Sequence, residues 1–348
     1  MDVAVIGATG NIGSALLDAL AANQRVDRVR AVARRAPERA WPKTTFHALD
    51  TTSDDLSPAV AGADALVHLA WLFQPTHRPT VTWRSNVGGA QRVLDAAVRH
   101  GVGAVVCASS VGAYSPGRGR EVDEAWPTDG LPTAAYGREK AYVERLLDAL
   151  EARHPEVRVV RMRPGFVFQR SSGAQQWRLF AGPFVPKPLV RPGALPLLPF
   201  PEGLRFQTVH ASDVAAAFVL ALEHEEARGA FNVAADPVVD GQALADLFRA
   251  RLVPLPPWLV RAGLAVAWHA RLTPAEPALF DLAMALPTMS TARARQELGW
   301  SPAVSSTDAL VEALTAMAEG HGGETAPLAA DSLRSRITEL LPRIGGRP

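Results

Sequence analysis

The chain has 348 residues, enough to bury a large core in one big domain or two closely joined ones. Its 36 lysines and arginines nearly balance 35 aspartates and glutamates, so overall charge points neither to nucleic acid nor to an anionic membrane. A single cysteine, Cys107, excludes an internal disulfide framework, no apolar run reaches membrane-spanning length, and Val3–Ile6 meets Gly7 too soon for a secretory core. These features predict a soluble cytoplasmic protein. No metal is expected.

Val3 to Ile6 reads as a buried parallel strand. Gly7-Ala8-Thr9-Gly10-Asn11-Ile12-Gly13 follows, then a helix from Ser14. Strand, glycine turn and helix in that order form a dinucleotide site. Glycines let the backbone approach a pyrophosphate, and the helix N-terminus offers free amides and a positive dipole end. Val29 to Ala33 reads as the second strand, ending in Arg34-Arg35 rather than an acid. Two guanidiniums there suit a 2′-phosphate, so NADP(H) is preferred over NAD.

Phe46 to Asp50 is predicted as the third strand, with Asp50 placed to accept from an adenine amino group. Asp64 to Ala70 is the fourth, with His68 packed inside it. A helix is expected over Trp83 to His100, then a fifth strand over Val102 to Ala108. Ser109-Ser110 stands at that strand's C-terminal end, where open parallel sheets bind ligands. A helix from about Thr133 to Arg153 carries Tyr136 and Lys140, one turn apart on one face. An ammonium beside a phenol lowers its pKa and fits it for proton transfer. Val157 to Met162 makes a sixth strand.

Alternating strands and helices over about the first 165 residues give an α/β doubly wound parallel sheet. The second part differs in texture. Prolines crowd 173–203 among apolar residues, which suggests an irregular cover over a pocket. Helices follow over Asp213–Glu223, Gly241–Arg251, Trp258–Ala270 and Ala275–Leu286, with a short strand at Phe231–Val233. The expected organisation is a dinucleotide-binding domain at 1–165, to which 204–235 returns. A smaller, mostly helical substrate region at 166–320 and a tail at 321–348, with a helix over Ser332 to Leu341, complete it.

Gly7-x-x-Gly10-x-x-Gly13, Asp50, His68-Leu69-Ala70, Ser110 and Tyr136-x-x-x-Lys140, in this order, resemble the extended branch of the short-chain dehydrogenase/reductase superfamily. Arg163-Pro164-Gly165, the stretch from Val209 to Ala215, Gly229 to Val233 and Leu298-Gly299-Trp300 also resemble it. The resemblance implies a Rossmann fold and a homodimer through the helices 133–153 and 83–100. It makes Tyr136 the general acid/base, Lys140 its partner and holder of the nicotinamide ribose, and Ser110, rather than Ser109, the residue that orients the substrate oxygen. Gly7, Gly10, Asn11, Ile12, Gly13, Arg34, Arg35, Asp50, Leu69, Ala70, Lys140 and Pro164 would hold the cofactor. Trp71, Ser110 and Phe166 would line the substrate pocket, and Asn86 would be structural.

Departures from the family narrow the chemistry. The dehydratases carry Thr-Asp-Glu where this chain reads Ser110-Val111-Gly112, so dehydration is not expected. Phe166 replaces an Asn that contacts a diphosphate in nucleotide-sugar epimerases, and Phe280 to Pro287 lacks their diphosphate-binding Arg. Arg170, Arg178, Arg191 and Arg205 are the available substitutes. The expected activity is therefore NADP(H)- or NAD-dependent hydride exchange with a ketone or secondary alcohol of a small, relatively apolar substrate. A nucleotide-sugar epimerase is the alternative, and a non-catalytic dinucleotide sensor a third.

Overall fold

The computed structural model describes residues 1–73, 77–181 and 186–330. The helix expected over Ser332 to Leu341 lies outside the described residues, as do Pro183 and Phe184 of the proline-rich stretch. Seven parallel strands form the central sheet: β1 (Asp2–Ile6), β2 (Arg28–Ala33), β3 (Thr44–Ala48), β4 (Ala65–His68), β5 (Ala104–Ala108), β6 (Arg158–Pro164) and β7 (Gly229–Val233). Their spatial order is β3-β2-β1-β4-β5-β6-β7. The order reverses between β1 and β4, which opens a crevice beyond their C-terminal ends.

β1 and β5 are nearly continuous apolar runs because helices cover both faces, whereas β2, β3 and β6 carry arginines, threonines or a histidine. Helices α1 (Asn11–Ala22) and α4 (Ala211–Glu223) pack on one face, with Leu16, Leu17, Leu20, Phe218 and Phe231 in the core. On the other face α2 (Gly89–Arg99) and α3 (Ala135–Arg153) bury Val93, Leu94, Val143 and Leu147. His68 lies buried in β4, and burial pulls its imidazole down to about 3, so it is neutral packing. Cys107 is buried in β5 with its thiol pushed up to about 12, which makes it unreactive.

The helix expected over 83–100 is interrupted. Pro79–Trp83 is α-helical, Arg84–Gly88 is a π-helical turn, and α2 begins only at Gly89. The wide turn presents Asn86 to the loop after β4, a common use of such bulges. Past β6, the strands Phe166–Phe168 and Thr208–His210 pair in parallel. The helix expected over Gly241–Arg251 ends at Phe248. Residues Arg251–Leu255 instead pair with Leu197–Pro201 of the proline-rich cover. Proline lacks an N–H, which confines Pro196, Pro199, Pro201 and Pro254 to a narrow two-stranded edge. Helices α5 (Pro257–His269), α6 (Pro277–Ala285) and α7 (Ser306–Glu319) complete the second part.

Asp213 joins the two parts. Its buried carboxylate accepts from Ala303 N and Val304 N, both at 3.0 Å, and its carbonyl accepts from Trp300 Nε1 at 2.8 Å. Two charge-assisted bonds to otherwise unpaired amides make this a strong tie. Asp213→Ala is expected to cost about 2–4 kcal/mol, read as a fall in the urea midpoint. An unchanged midpoint would remove the tie from this account.

Candidate active site

Burial controls the chemistry at the end of β5. Tyr136 and Lys140 both project from the first turns of α3 toward that strand end. Tyr136 Oη donates to Ser110 Oγ at 3.0 Å, and Ser110 Oγ also accepts from Gly112 N at 3.0 Å. The serine hydroxyl is thereby fixed between a phenol and a backbone amide. Ser109 is committed elsewhere: its Oγ donates to Glu144 at 2.5 Å. Arg163 donates to both oxygens of Glu144, at 2.9 and 3.0 Å. Burial alone would raise the Glu144 pKa, but Arg163 outweighs it and holds the carboxyl below its usual range. Ser110 is thus the serine beside the phenol.

Lys140 is buried, with Nζ donating to the Ala108 carbonyl at 2.8 Å and lying 3.6 Å from the centre of the Trp71 ring. Desolvation pulls its pKa down to about 8, against the pull of Glu144 and Glu139. The expected lowering of the Tyr136 pKa is not what the protein shows. Burial pushes the phenol up to about 12, opposed by the Ser110 hydrogen bond. The ammonium itself is engaged by a carbonyl and an indole face.

An aromatic wall closes on the phenol. Trp71 and Phe73 meet the Tyr136 ring edge-on at 5.6 and 4.9 Å, and Phe180 lies 6.0 Å from Phe73. Asn86 sets this wall. Its side chain accepts from Leu72 N at 2.7 Å, and donates to Leu72 O at 3.2 Å and to Glu139 at 2.7 Å. Asn86 thus ties the loop after β4 to α3.

A cavity of about 1350 Å³ runs from the glycine turn past this group. It exceeds the usual ligand pocket of about 300–1000 Å³, leaving room for a dinucleotide and a second molecule. Gly7, Gly10, Asn11, Ile12, Gly13, Arg34, Asp50, Leu69, Ala70 and Pro164 all line it, with Trp71 and Phe166 further along. Arg35 does not; it follows Arg34 in a bend past the end of β2, and both arginines are solvent-exposed. Asp50 Oδ1 accepts from Thr52 N and Oγ1, at 2.8 and 2.7 Å.

The glycine turn is built for close approach. Gly7 has φ +88°, and a Cβ there would lie 2.5 Å from Ala70 N. Gly10 caps α1 with no side-chain partner for the first amides. An uncapped helix start facing a cavity suits a pyrophosphate, so these residues fit a dinucleotide. Several site residues lie outside those expected from sequence. Leu279, Leu282, Ala283 and Leu286 give the far wall its apolar character. Thr325 donates to Thr9 O of the glycine turn at 2.8 Å, and Pro327 reaches the cavity. For Leu282, Ala283 and Leu286 the signal was the resemblance, which sets 280–287 where relatives bind a diphosphate; Thr325 and Pro327 had none.

The family model for the NAD dependent epimerase/dehydratase family matches residues 3–234. The chain belongs to this family. It is accordingly an NAD-dependent enzyme of the oxidoreductase/epimerase kind, within the extended short-chain dehydrogenases/reductases. A curated relative from Stigmatella aurantiaca, 4-hydroxy-2-methyl-3-oxo-4-farnesyl-3,4-dihydroquinoline-1-oxide ketoreductase, is 32% identical over 169 residues. That match covers 47% of this chain and 49% of the relative, so the chain spans about half the length of that protein. An epimerase family protein from Mycobacterium leprae (strain TN) is 28% identical over 281 residues, 75% of this chain and 82% of its own length. Among solved structures, a short-chain dehydrogenase/reductase from Agrobacterium tumefaciens with bound NAD has a TM-score of 0.69 at 23% identity, covering 99% of this chain and 100% of its own. A UDP-glucose 4-epimerase from Thermotoga maritima also has a TM-score of 0.69, at 18% identity, covering 92% and 99%. At these identities the likeness establishes the fold.

Gly112 packs closely on the phenol ring. A Cβ there would lie 2.7 Å from Tyr136 Cε1. Gly112→Ala is expected to displace the phenol and lower kcat by about tenfold or more, with dinucleotide binding retained in a thermal-shift assay. An unchanged kcat would show that the ring position does not matter. The Lys140 charge sets a second expectation. Folded, Lys140 is protonated below about 8 and neutral above, whereas its ordinary pKa is 10.5. Turnover that needs the ammonium should fall as pH rises through about 8, and Lys140→Met should lose that limb of the profile along with most of its rate.

Proposed function

We propose that this enzyme reduces a ketone, or oxidises the corresponding secondary alcohol, in a small and relatively apolar substrate, with NADP(H) preferred over NAD(H). One observation carries the reading: the Ser110–Tyr136 pair faces a cavity whose further walls are Trp71, Phe73, Phe166, Phe180 and the apolar side of α6. Neutral rings and methyl groups favour an apolar partner and leave a diphosphate little to bind.

Ser110 holds the substrate oxygen and Tyr136 gives it a proton in the reducing direction, or takes one in the oxidising direction. The nicotinamide, when bound, supplies or accepts the hydride at the carbinol carbon. Lys140 replenishes positive potential beneath the phenol and is placed to hold ribose hydroxyls. Pairing carbon-centred reduction with a positioned acid avoids a free alkoxide. Arg34 supports the NADP(H) preference because it lines the cavity at the end of β2. The farnesyl-bearing substrate in the name of the Stigmatella aurantiaca ketoreductase agrees with an apolar pocket.

The alternative is nucleotide-sugar epimerisation. It draws on Arg178 and Lys187, which line the cavity, and on neighbours such as the Thermotoga maritima enzyme. Arg170 is paired with Glu319 at 2.8 Å, and neither Arg191 nor Arg205 lines the cavity. Arg178 donates to the carbonyls of Pro327 and Ala329, both at 3.0 Å. A non-catalytic sensor is disfavoured because Ser110, Tyr136 and Lys140 are all retained.

NADPH consumption with a panel of apolar ketones tests the proposal. Tyr136→Phe should lower kcat by about a hundredfold or more while NADPH still raises the melting temperature. Arg34→Ala should narrow or reverse the NADPH/NADH ratio of kcat/KM. Stabilisation by UDP or dTDP, with sugar interconversion and no net oxidation, would favour the epimerase instead. We also place a homodimer interface on α2 and α3. The edge-to-face pair Trp83–Tyr142, at 4.9 Å, is exposed on α3 and the helical turn leading to α2. Trp83→Glu with Tyr142→Glu should halve the mass seen by light scattering.

A further inference from the structure

Helix α5 is apolar on the side that faces water. Trp258 and Val266 are each 70% exposed and Leu259 47%, while Leu272, just past the helix, is 51% exposed. Ala262 and Gly263 are also exposed. At about 100° per residue, positions 258, 259, 262, 263 and 266 share one arc of about 140°. That arc holds no lysine, arginine, aspartate or glutamate. The inward side is different: Trp268 is buried and stacks on His77 at 3.7 Å, and Leu264 lines the cavity. A helix on the surface of a water-soluble protein normally turns its charges outward. This one turns a tryptophan, a leucine and a valine outward.

The segment that carries α5 is basic in sequence, although Asp281 and Glu202 lie close to the helix. Between Asp246 and Glu276 the sequence has no acidic residue, but it has Arg249, Arg251, Arg261 and Arg271. Arg249, Arg251 and Arg261 are exposed. Arg261 pairs with Asp281 at 2.9 Å, at the edge of the apolar arc. The balanced charge of the whole chain conceals this local excess of arginine. An outward tryptophan and aliphatic face on an arginine-rich segment matches the headgroup region of an anionic bilayer, where the rings and methyls enter and the guanidiniums meet phosphates.

We propose that α5 docks this enzyme peripherally on an anionic lipid surface. No helix among the described residues is long and apolar enough to cross a membrane, and none is needed. A second copy of the chain fits the face less well. Thirteen residues of helix offer about 20 Å by 10 Å, far below the roughly 800 Å² per partner of a stable interface. Self-association would also bring the arginine-rich segments together. Leu264, Pro274 and Ala275 border the cavity from behind this face, so docking sets the apolar chamber beside the acyl chains. That last consequence, unlike the docking, rests on the proposed apolar substrate.

Flotation of the full chain with vesicles decides the matter, using phosphatidylcholine alone and phosphatidylcholine mixed with phosphatidylglycerol. The wild type should float with the mixed vesicles, less so with neutral ones, and should dissociate as salt is raised. The double variant W258E/V266E should bind the mixed vesicles at least about tenfold more weakly. Both positions are exposed, so an unchanged melting temperature and unchanged NADPH stabilisation should accompany the loss. R249Q/R251Q should lose the preference for phosphatidylglycerol and keep the weaker neutral binding. Absence of wild-type binding to anionic vesicles, or equal binding by W258E/V266E, overturns the proposal. So does a fall in solution mass on W258E/V266E without any vesicle binding by the wild type, which would make the face a contact between copies. Ketone reduction in detergent-free buffer is a separate readout, so failure of the docking and failure of the substrate reading are distinguishable.

Discussion

A buried lysine dictates the arrangement of this site. Taking an ammonium out of water costs several kcal/mol unless partners replace the hydration. Lys140 finds two: the carbonyl that ends β5 and the face of Trp71. The carbonyl is available because β5 ends there and its next ladder partner is missing. The indole is available because the loop after β4 is pinned by Asn86. Burial thus moves the lysine and the phenol in opposite directions, to about 8 and about 12. The low dielectric that makes the ammonium costly also strengthens its effect on charge developing nearby.

The same helix holds both sides of the site together. Glu139, next to Lys140 in α3, accepts from Thr82 and Asn86 and so fixes the turn before α2. Glu144, four residues past Lys140, accepts from Ser109 and is gripped by Arg163 of β6. Carboxylates on two faces of α3 therefore anchor the aromatic wall and the strand end bearing Ser110. Neither carboxylate touches the cavity. Their work is to hold a serine, a phenol and a lysine within hydrogen-bond tolerances on rigid elements, which is where precise chemistry is best placed.

Legibility in the sequence follows contact range. The glycine turn, the residues at the β5 end and the Tyr136–Lys140 turn are each local patterns with a chemical reason at fixed spacing, and all line one cavity. Even so, spacing alone did not separate Ser109 from Ser110; Glu144, 35 residues away from Ser109, does that. Spacing also placed Arg34 and Arg35 together, whereas of the two only Arg34 lines the cavity. The far wall was hidden because leucines and phenylalanines look alike whether they fill a core or line a pocket. The hydrogen bond from Thr325 to Thr9 spans 316 residues of sequence, and no local pattern encodes it. The strand Arg251–Leu255 was obscured by Pro254, since proline argues against a strand except at an edge, which is where this pair lies.

Gly112 shows how tightly the phenol is seated. Gly112 packs so closely on Tyr136 that even a methyl group would sit 2.7 Å from the ring. An acid at this position would therefore require the phenol, and with it the Ser110 hydrogen bond and the wall of Trp71 and Phe73, to move together. Packing of this kind resists a single exchange because the neighbours cannot each relax separately. The tight seat of Tyr136 against Gly112 fixes the ring beside Ser110.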